Sequence, residues 1–345
     1  MITLHDHNGP IEAAVLGDLT SAHVPAVFRG GARSWLPPEA GEGLQVLEWL
    51  EGTIGHRIVP FSVGLPGDVG FLGNATLSSG KVEATTLTGR REFRQIAREM
   101  IREVQTPTGH LLYVQSLPID SFAPELKEII RLPADQLPPS GHWRAWIGTG
   151  NHHGYLHVDG TENLFCLLTG TKRFLLGPFN LLPDAYVGPL EGGAYGSLAS
   201  VVNSVRPDLA QFPRYARVLE TAVEVTLTAG DILYLPCGWW HAVESEGFNM
   251  SVNYWWYDVD DRARTEAEAA FMRSMLSFRR LPRHWREYWK LMLDNFVFQL
   301  DGDPFKHIPA DQQGFAGAPT PERLLFLRSW LAQAAQATHE TQRSQ

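Results

Sequence analysis

The sequence predicts a mainly β protein, centred on a jelly-roll barrel with flanking helices and a C-terminal helical extension. Three observations carry that prediction. Between residues 141 and 258, short strand-like runs follow one another with Gly or Asp-Gly turns between them, the pattern of an antiparallel barrel. After residue 259 the apolar residues change to a spacing of three and four, which is helical. Within the strand-rich stretch His157 and Asp159 stand two residues apart, so on a strand both side chains point to one face.

Residues 1–140 read as α/β elements that flank and extend the barrel. Residues 18–36 suggest strand, turn and short helix, with Pro25 suited to an edge position. Leu44, Leu47 and Leu50 have helical spacing over 43–51, and short strands with Gly/Pro turns fill 57–88. Residues 90–104 form an amphipathic helix with Phe93, Ile96, Ala97, Met100 and Ile101 on one face. A strand follows at 111–115, where Tyr113 and Gln115 share a face, and Pro-rich punctuation at 133–139 marks a linker.

The barrel core, 141–258, holds predicted strands at 143–148, 155–159, 163–168 and 172–176, with Thr169-Gly170-Thr171 read as a tight hairpin. A long connection over 178–220 suits an active-site or substrate-facing insertion. Strands resume at 222–227, 232–236, 239–244 and 249–256. That makes about eight strands, enough to close a barrel that holds one small ligand. Helices at 262–279, at 283–300 (Trp285, Trp289, Met292 and Phe296 on one stripe) and from Pro321 onward, with Thr320 as its cap, make up 259–337. Their apolar faces either pack on the barrel or form a homodimer interface. Residues 338–345 read as a polar, frayed tail.

Composition sets outer bounds. The chain has 345 residues, 44% of them hydrophobic and 19% charged, an ordinary globular balance. A net charge of −9 argues against a bulk electrostatic grip on nucleic acid or an anionic membrane surface. No apolar run is long enough to span a membrane, and the N-terminal residues lack the charged-then-apolar pattern of a signal peptide; the expected location is the cytoplasm. Cys166 and Cys237 lie in apolar stretches and read as buried free thiols; Cys237, four residues before His241, is also weighed as a metal ligand.

Of the 13 histidines only His157 has a carboxylate two residues on. With His241 arriving from a distant strand, the set becomes two imidazoles and one carboxylate. That facial triad leaves open positions on Fe(II) for a co-substrate and O2. The bland alternative makes His157 and Asp159 a surface turn pair and His241 a packed core residue.

The run from Asn163 to Arg173, the Gly-Asp-Ile-Leu-Tyr-Leu-Pro-x-x-Trp-Trp-His run from Gly230, and Asn253-Tyr254-Trp255-Trp256 together resemble the JmjC, or cupin-like, 2-oxoglutarate oxygenases. The asparaginyl hydroxylases and bacterial cupin-like members are nearest in pattern. The resemblance is dense over 143–256, thinner at 22–36 and 109–120, and only architectural in the C-terminal helices. It implies a double-stranded β-helix with His157, Asp159 and His241 as the iron ligands. It implies Lys172 and Tyr113 at the distal carboxylate of 2-oxoglutarate, and Asn163 and Asn253 near its metal-chelating end. The family often has Thr three residues before the first histidine, where this sequence has Gly154. Read without the resemblance, Lys172 could be a solvated hairpin end, Asn163 and Asn253 interior groups satisfied by backbone, and Tyr113 a core tyrosine. His152 and His153 read as loop or rim residues.

The implied activity is hydroxylation of a peptidyl or free amino-acid side chain, with succinate and CO2 released. Demethylation uses the same chemistry, but no zinc-finger spacing accompanies the barrel. The rivals are a cupin metalloenzyme that does not use 2-oxoglutarate and a non-catalytic barrel that binds a peptide.

Overall fold

A computed structural model describes residues 4–64, 86–130, 137–190, 198–314, 317 and 320–343. Most of the strands read at 57–88 and of the linker read at 133–139 lie outside the described residues, as do 191–197 of the long connection. The chain divides into two compact units, Met1–Asp258 and Val259–Gln345.

In order, the first unit holds β1 (His5–Asn8), α1 (Ala13–Ala22), β2 (Ala26–Arg29), α2 (Leu44–Ile54), β3 (Ile58–Gly64), β4 (Thr86–Glu92), α3 (Phe93–Gln105) and β5 (Leu111–Pro118). There follow α4 (Ile119–Phe122), α5 (Glu125–Ile129), β6 (His142–Thr149), β7 (His152–Val158), β8 (Glu162–Gly177), β9 (Leu198–Ala199), α6 (Tyr215–Thr221), β10 (Val223–Thr228), β11 (Ile232–Leu235) and β12 (Trp240–Trp256). The second unit holds α7 (Asp261–Phe278), α8 (Arg283–Phe296) and α9 (Pro321–Arg343).

The barrel is made by two long strands that each serve twice. The first half of β8 pairs with β11 and with the second half of β12, which continues to β6. The second half of β8 pairs with β10 and with the first half of β12, which continues to β7. The outcome is the double-stranded jelly roll expected, with β1, β2, β5, β3 and β4 widening one of its two faces.

Thr169-Gly170-Thr171 is a correction. It is not a hairpin: β8 runs unbroken through it. Gly170 has φ +87°, and the pairing with β12 shifts register between Glu246 and Met250 opposite it. Both strands bend there and pass from one face of the barrel to the other. A glycine in the left-handed region supplies the bend, since a Cβ would lie 2.6 Å from the Phe248 carbonyl oxygen. We expect Gly170→Ala to destabilise the protein by about 1–3 kcal/mol, seen as a lower urea midpoint with unchanged slope.

Three apolar clusters follow from this geometry. Phe165 and Leu167 of one face meet Phe174, Leu176, Val225 and Leu233 across the barrel interior, with Phe165 and Phe174 edge to face at 4.9 Å. Leu47 and Leu50 of α2 and Ile96 and Met100 of α3 cover the outside of the wider face, against Cys166, Ile147 and Val252. Leu156, Val158, Trp240 and Ala242 cover the outside of the other with Tyr215 and Val218 of α6. Burial on both sides explains the apolar runs Leu164–Leu168 and Phe174–Leu176 within β8.

The strand expected within 18–36 is β2, Ala26–Arg29; residues 18–22 close α1, and His23 ends it in the left-handed conformation. Pro25 precedes β2, an internal strand between β1 and β11, so it is no edge residue. The turn into β11 is pinned to β2 by Asp231, which accepts from Arg29 Nη1 at 2.9 Å and from the Gly30 amide at 2.9 Å.

In the second unit α7 and α8 bury no residue, and Trp285, Phe296 and Leu331 are exposed. The Thr320 hydroxyl accepts from the Arg323 amide at 3.3 Å, as a helix cap does. The helix it starts extends to Arg343, so the stretch read as a frayed tail is helical up to that residue. Among the described residues no helix is long and apolar enough to cross a membrane.

Candidate metal centre and the buried cation beside it

His157 is the last residue but one of β7, Asp159 follows the strand's end, and His241 is the second residue of β12; His157 and His241 are register partners across an antiparallel pair. Their rings sit 4.0 Å apart between centroids. Asp159 Oδ1 lies 3.9 Å from His157 Nε2, and its Oδ2 lies 3.6 Å from His241 Nε2. One donor atom from each of the three falls within 4.8 Å of the others, the only such group of metal-capable side chains among the described residues. A surface turn pair does not fit this: the His157 and Asp159 side chains are only 12% and 18% exposed, and the carboxylate faces both rings.

The two imidazoles are oriented by the same device. His157 Nδ1 lies 2.8 Å from the Tyr155 carbonyl, and His241 Nδ1 lies 3.2 Å from the Trp239 carbonyl. A backbone oxygen can only accept, so each Nδ1 carries a proton, and that contact turns each Nε2 toward Asp159. Burial, with His157 alongside, pushes His241 down to about 4, so its ring is neutral at pH 7. Two imidazole nitrogens and a carboxylate fit a divalent cation in the facial arrangement. Cys237 is outside the group; its thiol is half-buried and pushed up to about 11, mainly by burial.

Further along the same inner face stands Lys172. Its alternation with Phe174 and Leu176 turns it into the barrel, and it is 2% exposed. The solvated-hairpin alternative fails with the hairpin. Lys172 Nζ donates to Ser245 Oγ at 2.8 Å and lies 5.9 Å from the centre of the Phe165 ring. Burial pulls its ammonium down from 10.5 to about 7. No carboxylate among the described residues lies within 4.0 Å of it.

His152 is the residue that sequence reasoning misplaced. It is not at a rim: it is 5% exposed, pairs in register with Ser245, and packs on Tyr113 at 4.6 Å between ring centres. Burial first, and the Lys172 charge second, hold its ring well below the ordinary histidine range. The cause is a bulge. Pairing shifts between His241↔His157 and Val243↔Gly154, so β7 carries one extra residue there. Strict alternation from His157 would send His152 outward; the extra residue returns it to the inner face. Ser245 was legible, since it shares a face with His241 at an even spacing. His153 is half-buried, 3.8 Å from Glu244.

Tyr113 sits over Gly148, where a Cβ would come within 2.5 Å of its ring, and beside Trp146 at 6.0 Å. Burial raises its hydroxyl's pKa. Asn163 and Asn253 face each other across the β8–β12 pair: Asn253 Nδ2 donates to Asn163 Oδ1 at 2.8 Å. That leaves the buried Asn253 Oδ1 without a hydrogen-bond partner. Asn163 is satisfied by a side chain rather than by backbone. The barrel therefore carries two polar ends, a metal-capable cluster and a buried cation, joined by one inner face.

Residues 12–262 match the family described as the cupin-like domain, most of the chain. The chain belongs to the cupin-like family. Among curated proteins, this cupin-like chain is similar to the lysine-specific demethylase JMJ31 of Arabidopsis thaliana, 35% identical over 111 residues, 32% of this chain and 20% of that protein. It is similar to the Jumonji C domain-containing protein 5 of Drosophila melanogaster, 27% identical over 221 residues, 61% of this chain and 49% of the other. It also resembles the human bifunctional peptidase and (3S)-lysyl hydroxylase JMJD7, 31% identical over 132 residues, 33% of this chain and 41% of that one. The cupin-like chain thus spans between a fifth and a half of these relatives' lengths.

Proposed function

We propose that this protein is an Fe(II)- and 2-oxoglutarate-dependent oxygenase that hydroxylates a C–H bond of a peptidyl or amino-acid side chain. The observation that carries the reading is Lys172, a cation 2% exposed with one neutral hydrogen-bond partner, on the inner face that also bears His157, Asp159 and His241. A buried ammonium is costly until an anion pairs with it. A dicarboxylate that chelates a metal with one end needs a cation for the other. 2-Oxoglutarate answers both needs, and proteins bearing demethylase and lysyl hydroxylase names are similar to this chain.

In this reading His157, Asp159 and His241 hold Fe(II), and Lys172 and Ser245 hold the distal carboxylate. Tyr113 and His152 wall that end, and Asn163 and Asn253 lie toward the metal. Together Fe(II), 2-oxoglutarate and O2 supply oxidative decarboxylation to succinate and CO2 coupled to hydroxylation. The apolar interior from Phe165 to Leu235 keeps bulk water from the reacting groups.

Anaerobic visible spectroscopy tests it. Protein with Fe(II) should develop a metal-to-ligand charge-transfer band on adding 2-oxoglutarate, and His157→Ala should lack it. Tight iron binding with no band would favour a metalloenzyme that does not use 2-oxoglutarate; no iron binding would leave a barrel that only binds.

A further inference from the structure

We infer that Arg144 recognises a carboxylate on the prime substrate, so that this site takes a substrate with a free side-chain or main-chain carboxylate rather than one without. The inference rests on the oxygenase reading and adds a substrate class to it.

β6 directs Arg144, Trp146 and Gly148 to the inner face, in register with Asn253, Ser251 and Asn249. The row has two ends. Gly148 lies under Tyr113 and His152, the end that holds Lys172. Arg144 lies at the other, opposite Asn253, which bonds Asn163, four residues after Asp159. Arg144 is therefore at the metal end of the barrel, on the wall across from the triad, where a prime substrate must enter.

Its guanidinium is half-buried and held still. Nη1 donates to the Ser116 carbonyl at 3.2 Å and lies 3.5 Å from the Ser116 hydroxyl. The charged carbon sits 5.7 Å from the Trp255 ring centre. Ser116 is itself constrained: it is 3% exposed, has φ +51°, and lies at a bulge of β5 between Val114 and Leu117. A serine in the left-handed region is strained backbone that the surroundings enforce, and here it aims a carbonyl at Arg144. Both acceptors are neutral. No carboxylate among the described residues lies within 4.0 Å of the guanidinium, and its buried Nε has no hydrogen-bond partner. With Nη1 engaged, the Nε–Nη2 edge is left, two parallel donors spaced for the two oxygens of a carboxylate. The neighbouring indoles add donors: Trp146 Nε1 and Trp255 Nε1 are also buried and unpartnered, their rings 6.0 Å apart. Three buried donors without partners, side by side, call for an acceptor-only ligand.

The test is ligand-detected saturation-transfer NMR on the full chain, with Zn(II) in place of Fe(II) and 2-oxoglutarate saturating. The probes are N-acetyl-aspartate amide, N-acetyl-alanine with a free carboxylate, and neutral N-acetyl-asparagine amide. At least one acidic probe should bind about tenfold or more tightly than the neutral one, and which one separates a side-chain from a main-chain carboxylate. Arg144→Gln should remove that preference and leave 2-oxoglutarate affinity unchanged; Arg144→Lys, which keeps charge but not the fork, should retain part of it. Equal binding of acidic and neutral probes would overturn the inference. So would loss of 2-oxoglutarate affinity in folded Arg144→Gln or Arg144→Lys, which would move Arg144 to the co-substrate. Failure of the oxygenase reading looks different: wild-type protein would then not bind 2-oxoglutarate before any probe is added.

Discussion

Lys172→Met should stabilise the protein without co-substrate and raise its 2-oxoglutarate requirement by about 10²–10⁴. Both effects come from one buried charge. Burial shifts the Lys172 ammonium from 10.5 to about 7, and each unit of that shift is about 1.4 kcal/mol against the charged form in the folded state. Methionine matches the length of the stem and removes the charge, so thermal unfolding of the apoprotein should move up, by about 1–4 kcal/mol in stability. With 2-oxoglutarate the sign reverses, because its distal carboxylate would then be buried without a partner, a loss of about 3–5 kcal/mol. The pH dependence follows from the direction of the shift. The unfolded chain holds the Lys172 proton more tightly than the folded one, so this residue's contribution makes wild-type apoprotein more stable as pH rises from about 7 toward 10.5. The difference in stability between wild type and Lys172→Met should shrink over that range. Co-substrate binding runs the other way: it needs the ammonium, so above about pH 7 binding takes up a proton and weakens about tenfold per unit. Calorimetry in two buffers of different ionisation enthalpy reads that proton. A Lys172→Met protein with unaltered 2-oxoglutarate affinity would sink the assignment.

The triad could be read in the sequence because a spacing of two is a property of one strand, independent of what the strand pairs with. His241 followed from a strand pattern strong enough to fix its face. The second half of the site depended on pairing, and there local pattern failed. Thr169-Gly170-Thr171 has the composition of a hairpin, but a left-handed glycine serves a bend as well as a reversal. The β12 register opposite Gly170 decides between them. Lys172, read as a possible hairpin end, is buried for the same reason. His152 was misplaced because the bulge between Gly154 and His157 depends on the register with β12, and one extra residue moves every side chain beyond it to the other face. Ser116 is similar: its left-handed backbone belongs to the β5–β6 pairing, and nothing in its neighbours announces it. The helices of the second unit were legible from composition, apolar spacing and the Thr320 cap, since a helix is closed by its own hydrogen bonds.

Asp159→Asn should abolish stable iron binding while leaving the barrel folded, and Cys237→Ser should leave both fold and iron binding intact. Asparagine keeps the shape of the side chain and removes its charge, so the two Nε2 atoms would face a neutral group. A divalent ion then loses its one anionic ligand and a share of its Coulomb attraction in a site where His241 is 4% exposed. Losing a residue that only orients a ligand already costs about 10–100-fold in metal affinity, so the loss of a ligand should exceed that range. Anaerobic titration with Fe(II) against a competing chelator measures it. Co(II), with visible bands of its own, gives the same comparison without oxidation. Cys237 is the informative control. It stands four residues from His241, but its thiol is pushed up to about 11, so at pH 7 it is protonated and a poor donor. If Cys237→Ser weakened iron as much as Asp159→Asn did, the centre would be a thiolate site, softer in character and suited to other metals. If Asp159→Asn kept iron at wild-type affinity, the carboxylate would be a hydrogen-bond acceptor for two core histidines and nothing more. The distances separate these cases in advance: at 3.9 Å and 3.6 Å the Asp159 oxygens are too far from the imidazole nitrogens for hydrogen bonds, yet close enough to share one cation with them.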